Sequence, residues 1–306
     1  MSRFGFLYII LASLLWSIDG LLRRSLYALP PATVVMIEHA FGVLIALPFL
    51  PKVFKEYFKL TKKDWLVVFT LTITASVAAT IFYTSALAKI NYINYSVVVL
   101  LQQTQPIFSI ALAALLLKEK ITPRYLFLAF IGLIAAYFLA FPNLTPNFTN
   151  RPEEISAAIL AMGAAVFWGT STVLGKMILN KISFIATAIL RFALAIPLSF
   201  LAGKLINQTM PLSQINPSQW LSMLAIAMTS GMVAFIIFYK GLQLVQAKIA
   251  TFVKLTWPIF AAIIGWIFLK ESLTVVQIIA ASVLMADILI LSLSQTALDE
   301  RIKKNN

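Results

Sequence analysis

Cysteine is absent from this 306-residue chain, and histidine occurs once, at position 39. The absence of cysteine excludes disulfides, thiolate nucleophiles and zinc–thiolate sites. A lone histidine excludes paired-histidine metal sites, and the 11 glycines form no phosphate-binding loop. We therefore expect no enzyme activity, no catalytic residues, no cofactor and no metal.

Charged residues are also scarce. They make up 11% of the chain, against about 25% in an ordinary soluble domain. By contrast, 61% of the residues are hydrophobic, and the mean hydropathy is +0.93. A membrane-spanning helix needs about 20 apolar residues, so the chain has room for ten spans with short connections and for no soluble domain. The composition therefore predicts an all-α integral membrane protein.

The hydrophobic runs fall into two sets of five, separated by a polar stretch rich in Pro, Asn and Thr. The predicted spans are 4–22, 32–50, 65–86, 94–116 and 124–141, then 155–178, 183–203, 218–239, 246–268 and 274–294. We predict a first five-helix repeat over residues 1–142, a linker loop over 143–154, a second five-helix repeat over 155–296, and a tail over 297–306.

Lysine and arginine are unequally divided between the two sides of such a chain. Most of the 24 basic residues fall on one face when the N-terminus is placed on that face. Basic loops stay in the cytoplasm, so both termini are predicted to be cytoplasmic, in a multi-pass protein of the cell (inner) membrane. The net charge of +13 then fits contact with anionic lipid and not with nucleic acid.

The two halves repeat one another at an offset of 152 residues. Trp16 matches Trp168, Pro106 matches Pro258, and a Leu-Lys-Glu triplet at 117–119 matches another at 269–271. Each half has an odd number of predicted spans, so the second half enters the membrane from the opposite side and the repeat is inverted. This architecture predicts a secondary transporter that works by alternating access around a midplane site.

The repeated signatures also carry a resemblance to a known family. They are Thr104-x-Pro106-Ile107-Phe108 and Thr256-x-Pro258-Ile259-Phe260, each followed by a Lys-Glu pair. Over nearly the whole chain they resemble the EamA branch of the drug/metabolite transporter superfamily. The resemblance implies a ten-helix inverted-repeat carrier of amino acids, other small metabolites or drugs. The arginine usual in the second helix of each repeat matches Arg191, whereas the first half has His39 instead.

Polar and ionisable residues at membrane depth are the candidates for substrate binding, because each is costly there unless it faces a cavity or a partner. Tryptophans on the first and sixth spans either line the cavity or pack helix against helix. The predicted substrate-binding residues are Trp16, Asp19, Glu38, His39, Tyr83, Gln102, Trp168, Arg191, Tyr239, Lys254 and Trp257. Pro106 and Pro258 are either gating hinges or static kinks.

Carboxylates in the first half and cations in the second half suit a zwitterion, so an exported amino acid or similar compound is the expected substrate. Alternatively, Glu38 pairs with Arg191 or Lys254, and the charges neutralise one another without a ligand. Other candidates are an exporter of cationic or aromatic amines, a nucleotide-sugar carrier, and a channel. Glu38 or His39 could carry a coupling proton. The expected partners are a small molecule, the lipid bilayer, protons and a second copy of the chain.

Overall fold

The computed structural model describes residues 5–117, 121–141, 143, 152–244, 253–254 and 256–305. Within these ranges the side chains at positions 113, 116–117, 171–172, 176, 239, 242–244, 292 and 294–305 are not described. Every regular element in the described part of the chain is helical. This confirms the prediction of an all-α protein.

Eight helices are long and apolar enough to cross a membrane. They are α1 (Gly5–Arg24), α2 (Pro31–Lys59), α3 (Lys62–Ala88), α4 (Tyr95–Leu112), α5 (Pro123–Ala140), α6 (Pro152–Leu179), α7 (Phe184–Leu205) and α8 (Pro217–Phe238). Two shorter apolar helices follow, α9 (Thr256–Phe268) and α10 (Val275–Leu291). Helical structure continues beyond these bounds to Leu117 in α4, to Leu244 in α8 and to Asn305 in α10.

The ends of α1 and α2 differ from the predicted ends. Helix α1 continues through Arg23 and Arg24, which are 5% and 8% exposed and therefore belong to the bundle and not to a loop. Helix α2 changes after Ala46 into short 3₁₀ and α segments that extend to Lys59. Pro48 and Pro51 explain this change, because proline donates no backbone hydrogen bond and clashes with the preceding turn.

Two spans contain a stretch of π-helix that the sequence analysis did not predict. It covers Thr72–Ala78 in α3 and Ala227–Gly231 in α8, the third helix of each half. A π-helix carries an extra residue per turn, so it changes which side chains face the bundle and leaves carbonyl groups open to other donors. Both stretches supply polar contacts to the site described below.

Helix α4 is interrupted just before Pro106. Its two segments, Tyr95–Gln102 and Gln105–Leu117, are separated by Gln103 and Thr104. There the backbone amides bond three residues back, to Leu100 and Leu101. Proline cannot donate to the fourth residue before it, so the interruption lies where the kink is expected. In the second half, Pro258 stands in the first turn of the described helix α9.

The most extensive packing joins α2 to α7, α1 to α8, and α5 to α10. Helix α1 also packs along α9, and α6 packs against both α3 and α4. Each of these pairs brings together one helix from each half of the chain. The predicted site residues on α1 and α2 therefore face helices of the second half.

Candidate substrate-binding site

A buried ion cluster lies between α1 and α2. Arg23 Nε lies 2.9 Å from Asp19 Oδ2, and Arg23 Nη2 lies 3.1 Å from Asp19 Oδ1 and 2.8 Å from Glu38 Oε2. Asp19 and Arg23 are four residues apart, so they lie one turn apart on the same helix face. The sequence predicted both carboxylates at the site, but their partner is Arg23, whereas Arg191 or Lys254 was the predicted internal partner of Glu38.

Hydroxyl groups from the neighbouring helices complete this cluster. Thr84 of α3 accepts a hydrogen bond from Arg23 Nη1 at 2.9 Å. Ser230, in the π-helical stretch of α8, donates to Asp19 Oδ1 at 2.5 Å. Glu38 Oε2 has no hydrogen-bond partner among the described residues, so the ion pair alone holds it. Asp19 is therefore the better stabilised of the two carboxylates.

His39 and Arg191 lie beside this cluster. His39 Nδ1 is 2.7 Å from the carbonyl of Val35 and 3.7 Å from Glu38 Oε1. Its ring packs on Phe192, with ring centres 4.7 Å apart. Arg191 donates from Nε and Nη2 to Ser76 Oγ, at 3.2 and 3.1 Å, and Ser76 lies in the π-helical stretch of α3. The two π-helical stretches thus each direct a serine to a charged side chain.

An aromatic group lies one turn along α1 from the ion cluster. The ring of Trp16 lies 5.9 Å from Phe235, 5.2 Å from Phe238 and 6.0 Å from Trp257, measured between ring centres. Lys254 Nζ lies 5.6 Å from the centre of the Trp16 ring, a cation–π distance. Lys254 forms no ion pair within the described part of the chain, and Trp257 Nε1 is buried with no described hydrogen-bond partner.

A second aromatic pair also adjoins the ion cluster. Tyr83 and Trp168 have ring centres 5.2 Å apart, and the Arg23 guanidinium lies 5.7 Å from the centre of the Tyr83 ring. Trp168 Nε1 donates to the carbonyl of Ala75, in the π-helical stretch of α3, at 2.9 Å. The Tyr83 hydroxyl is buried without a hydrogen-bond partner among the described atoms.

The remaining predicted residues lie elsewhere or are not described. Gln102 is 1% exposed, and its Nε2 donates to the carbonyl of Ala161 at 2.7 Å, so it joins α4 to α6. The side chain of Tyr239 lies outside the described residues. The residues brought together around the ion cluster and the two aromatic groups are Trp16, Asp19, Glu38, His39, Tyr83, Trp168, Arg191, Lys254 and Trp257.

The site also contains residues that the sequence analysis did not nominate. Arg23, Ser76, Thr84, Ser230 and Phe235 all contact a predicted residue or its ion-pair partner. Only Arg23 carried a signal, because it follows Asp19 by four residues on the stripe that also holds Trp16. The positions of the serines depend on the π-helical stretches, and hydrophobic periodicity in the sequence does not reveal such stretches.

These buried charged and aromatic side chains lie where helices of the two sequence halves meet. Comparison with known proteins places the chain in a family. The model of the EamA-like transporter family matches residues 3–141 and again residues 155–293. The chain belongs to this family, which confirms the resemblance noted in the sequence. It is an integral, multi-pass membrane protein that carries a small-molecule substrate.

Individual relatives give more detail. The chain is 32% identical over 290 residues to the riboflavin transporter ImpX of Fusobacterium nucleatum subsp. nucleatum, covering 94% of this chain and 97% of that protein. It is 25% identical over 283 residues to an uncharacterized transporter of Clostridium kluyveri, covering 89% and 87%. A solved crystal structure that is 19% identical aligns with 99% of this chain and 99% of that chain at a TM-score of 0.61, so the two share a fold.

Proposed function

We propose that this protein is a secondary transporter of riboflavin or a similar planar heterocycle. The observation that carries the proposal is the group formed by Trp16, Trp257 and Lys254, in which a cation and an indole N–H without described partners adjoin aromatic rings. The relative named as a riboflavin transporter, which matches almost the full length of the chain, supports the same substrate class.

The chemistry of riboflavin fits these groups. Its isoalloxazine ring is planar and aromatic, so it can stack on tryptophan and phenylalanine faces. Two carbonyl oxygens lie at one edge of that ring, and they can accept hydrogen bonds from Lys254 Nζ and Trp257 Nε1. A buried donor without a partner is destabilising, so a ligand that supplies acceptors gains affinity by satisfying it.

Export of an amino acid is the second candidate, favoured by Lys254, which forms no ion pair within the described residues and could bind a substrate carboxylate. An amino acid also needs a partner for its ammonium group. Asp19 and Glu38 were the predicted partners, but Arg23 is bound to both. A neutral heterocycle requires no free carboxylate, and we therefore rank it first. A cationic amine fits less well, because Lys254 would repel it.

The proposed mechanism is alternating access between two inverted five-helix repeats, with α9 and α10 serving as the ninth and tenth spans. The double match of the family model to the two halves supports this arrangement. We further propose that both termini are cytoplasmic in the inner membrane and that protons are the coupling ion. A homodimer and the hinge roles of Pro106 and Pro258 remain proposals from the sequence.

The test is riboflavin counterflow in proteoliposomes that contain the purified protein. Liposomes preloaded with riboflavin should take up external labelled riboflavin, and the rate should saturate, which an open channel would not show. The substitution Lys254→Gln should weaken riboflavin binding about tenfold, because a charge-assisted hydrogen bond is lost. Binding is followed by quenching of riboflavin fluorescence, with an amino-acid panel as competitors.

Lys240→Gln is the matched control, since Lys240 also makes a cation–π contact, 5.1 Å from the ring centre of Tyr8, but on an exposed side chain. It should bind riboflavin with unchanged affinity. If the folded protein shows no riboflavin counterflow, and if an amino acid is the one compound of the panel that competes for the binding site, the second candidate would replace riboflavin. Equal riboflavin affinity in Lys254→Gln and in the parent protein would show that Lys254 does not bind riboflavin.

A further inference from the structure

The connection between α9 and α10 turns the chain back toward α4. The amides of Leu269 and Glu271 both donate to the carbonyl of Gly265, at 3.1 and 3.0 Å. Lys270, between them, has a φ of 56°, in the left-handed region that residues with side chains seldom adopt. This closed turn fixes the direction in which the Glu271 side chain leaves the backbone.

The Glu271 carboxylate joins its own segment to two others, the end of α1 and the start of α4. Its Oε1 accepts from the amide of Tyr95 at 2.7 Å and from Arg24 Nη1 at 2.8 Å, and its Oε2 accepts from the amide of Ser96 at 3.3 Å. Only 8% of the side chain is exposed. The carboxylate therefore caps the N-terminus of α4, where free amides and the helix dipole favour a negative charge, and also pairs with the end of α1.

Further contacts hold the same three segments together. Asn94 Nδ2 donates to the carbonyl of Ser272 at 3.0 Å, and the Tyr95 hydroxyl donates to the carbonyl of Ser17 at 2.5 Å. At Gly265 a Cβ atom would lie 2.5 Å from Ser96 Oγ and 2.8 Å from Glu271 Oε2, so a side chain there would displace the Ser96 hydroxyl and the Glu271 carboxylate. We call Arg24, Asn94, Tyr95, Ser96 and Glu271 the latch.

The latch lies between a surface cavity and the aromatic group. A cavity of about 670 Å³ is lined by Leu21, Arg24, Asn94, Lys270 and Glu271, among others. Trp16 precedes Arg24 by eight residues, which is about 12 Å along the helix axis. A substrate that moves along α1 from this cavity to the aromatic group must therefore pass the latch.

We propose that Glu271 is a gating residue whose bonds to Arg24 and the α4 N-terminus close one face of the transporter. The latch joins α1 and α4 of the first half to the α9–α10 connection of the second half. Alternating access moves the halves relative to one another, so bonds between them at the closed face must break when that face opens. The inference rests on the proposed alternating access but not on the identity of the substrate.

The absence of cysteine makes the test direct, because a single introduced cysteine is the only thiol. Ser17 is fully buried on the inner side of the latch, so Ser17→Cys reports whether this face is open. The rate of its modification by a membrane-impermeant thiosulfonate is measured in right-side-out and inside-out vesicles. Glu271→Gln and Gly265→Ala should each accelerate modification from one side about 10- to 100-fold, as expected for loss of a charge-assisted hydrogen bond.

Asp64→Asn is the matched control. Asp64 lies at the surface at the start of α3, at the end of that helix away from the latch, and its described hydrogen bonds go to Thr61 of the same half, so its substitution should leave the modification rate unchanged. Gly265→Ala changes no charge and tests the same closure by steric displacement. An unchanged rate in either Glu271→Gln or Gly265→Ala, in monodisperse protein, would overturn the proposal. The modification rate is measured without substrate. The gating proposal can therefore be refuted while riboflavin transport is confirmed, and riboflavin transport can be refuted while the gating proposal is confirmed.

Discussion

At the scale of single residues, the ion cluster has one positive and two negative side chains. Arg23 lies between Asp19 and Glu38, and all three are at least nine-tenths buried. Asp19 receives two bonds from Arg23 and one from Ser230, whereas Glu38 has a single contact with Arg23. Glu38 is therefore the carboxylate whose charge is less well compensated, and the one that gains most from binding a proton.

We predict that Glu38→Gln abolishes riboflavin accumulation driven by a pH gradient but preserves riboflavin counterflow. The glutamine amide resembles the protonated, neutral carboxyl but cannot release a proton. Exchange of riboflavin between the two sides of the membrane therefore continues, while its coupling to the pH gradient is lost. The other ionisable groups around Glu38 are Asp19, Arg23, His39 and Tyr83, with Arg191 facing His39. Uptake of labelled riboflavin is measured in proteoliposomes with and without the gradient.

Glu153→Gln, at a half-exposed side chain outside the ion cluster, should retain accumulation under the same conditions. Accumulation by Glu38→Gln at the parent rate would exclude Glu38 as the proton carrier. The position of Glu38 at membrane depth could be predicted from the sequence, since a carboxylate is rare there. Its partner could not, because Arg23 follows the predicted end of the first span, and the bond exists only because α1 continues past that end to Arg24.

At the scale of the helices, the π-helical stretches of α3 and α8 determine which side chains meet at the site. Hydrophobic periodicity assumes 3.6 residues per turn. It therefore locates the spans but does not reveal the one extra residue that a π-helical stretch contains. The stretch in α8 places Ser230 on Asp19 and leaves Met228 exposed.

We predict that deleting Met228 restores a regular helix in α8 and weakens riboflavin binding. Loss of the wide turn moves the Ser230 hydroxyl off Asp19 Oδ1, so the ion cluster beside the aromatic group loses one of its hydrogen bonds. Met228→Ala, which keeps the residue count, should bind riboflavin like the parent. Fluorescence quenching measures affinity, and circular dichroism with size-exclusion chromatography verifies the fold. Retained affinity in the folded deletion variant would show that the π-helix does not determine the site.

At the scale of the whole molecule, the hydrophobic runs and the repeat at an offset of 152 residues are enough to indicate two halves built from membrane-spanning helices. The family model matches the same two halves, 3–141 and 155–293. The pairing of α1 with α8 and α9, and of α2 with α7, could not be derived in this way. Apolar helices look alike in sequence, and their partners depend on close side-chain packing that periodicity does not encode.

The orientation in the membrane is the last property that the sequence predicts, and the absence of cysteine allows it to be measured. The end of α2 and the start of α3 are rich in lysine and should be cytoplasmic, whereas the connection between α7 and α8 should face outward. Lys63 is exposed in the first turn of α3, and Ser213 is exposed in the connection between α7 and α8. An impermeant maleimide should label Ser213→Cys in intact cells and Lys63→Cys only after permeabilisation, while the cysteine-free parent stays unlabelled. Labelling in the opposite order would invert the molecule and place the latch on the cytoplasmic face, because Arg24 and Glu271 lie on the same predicted side as Ser213.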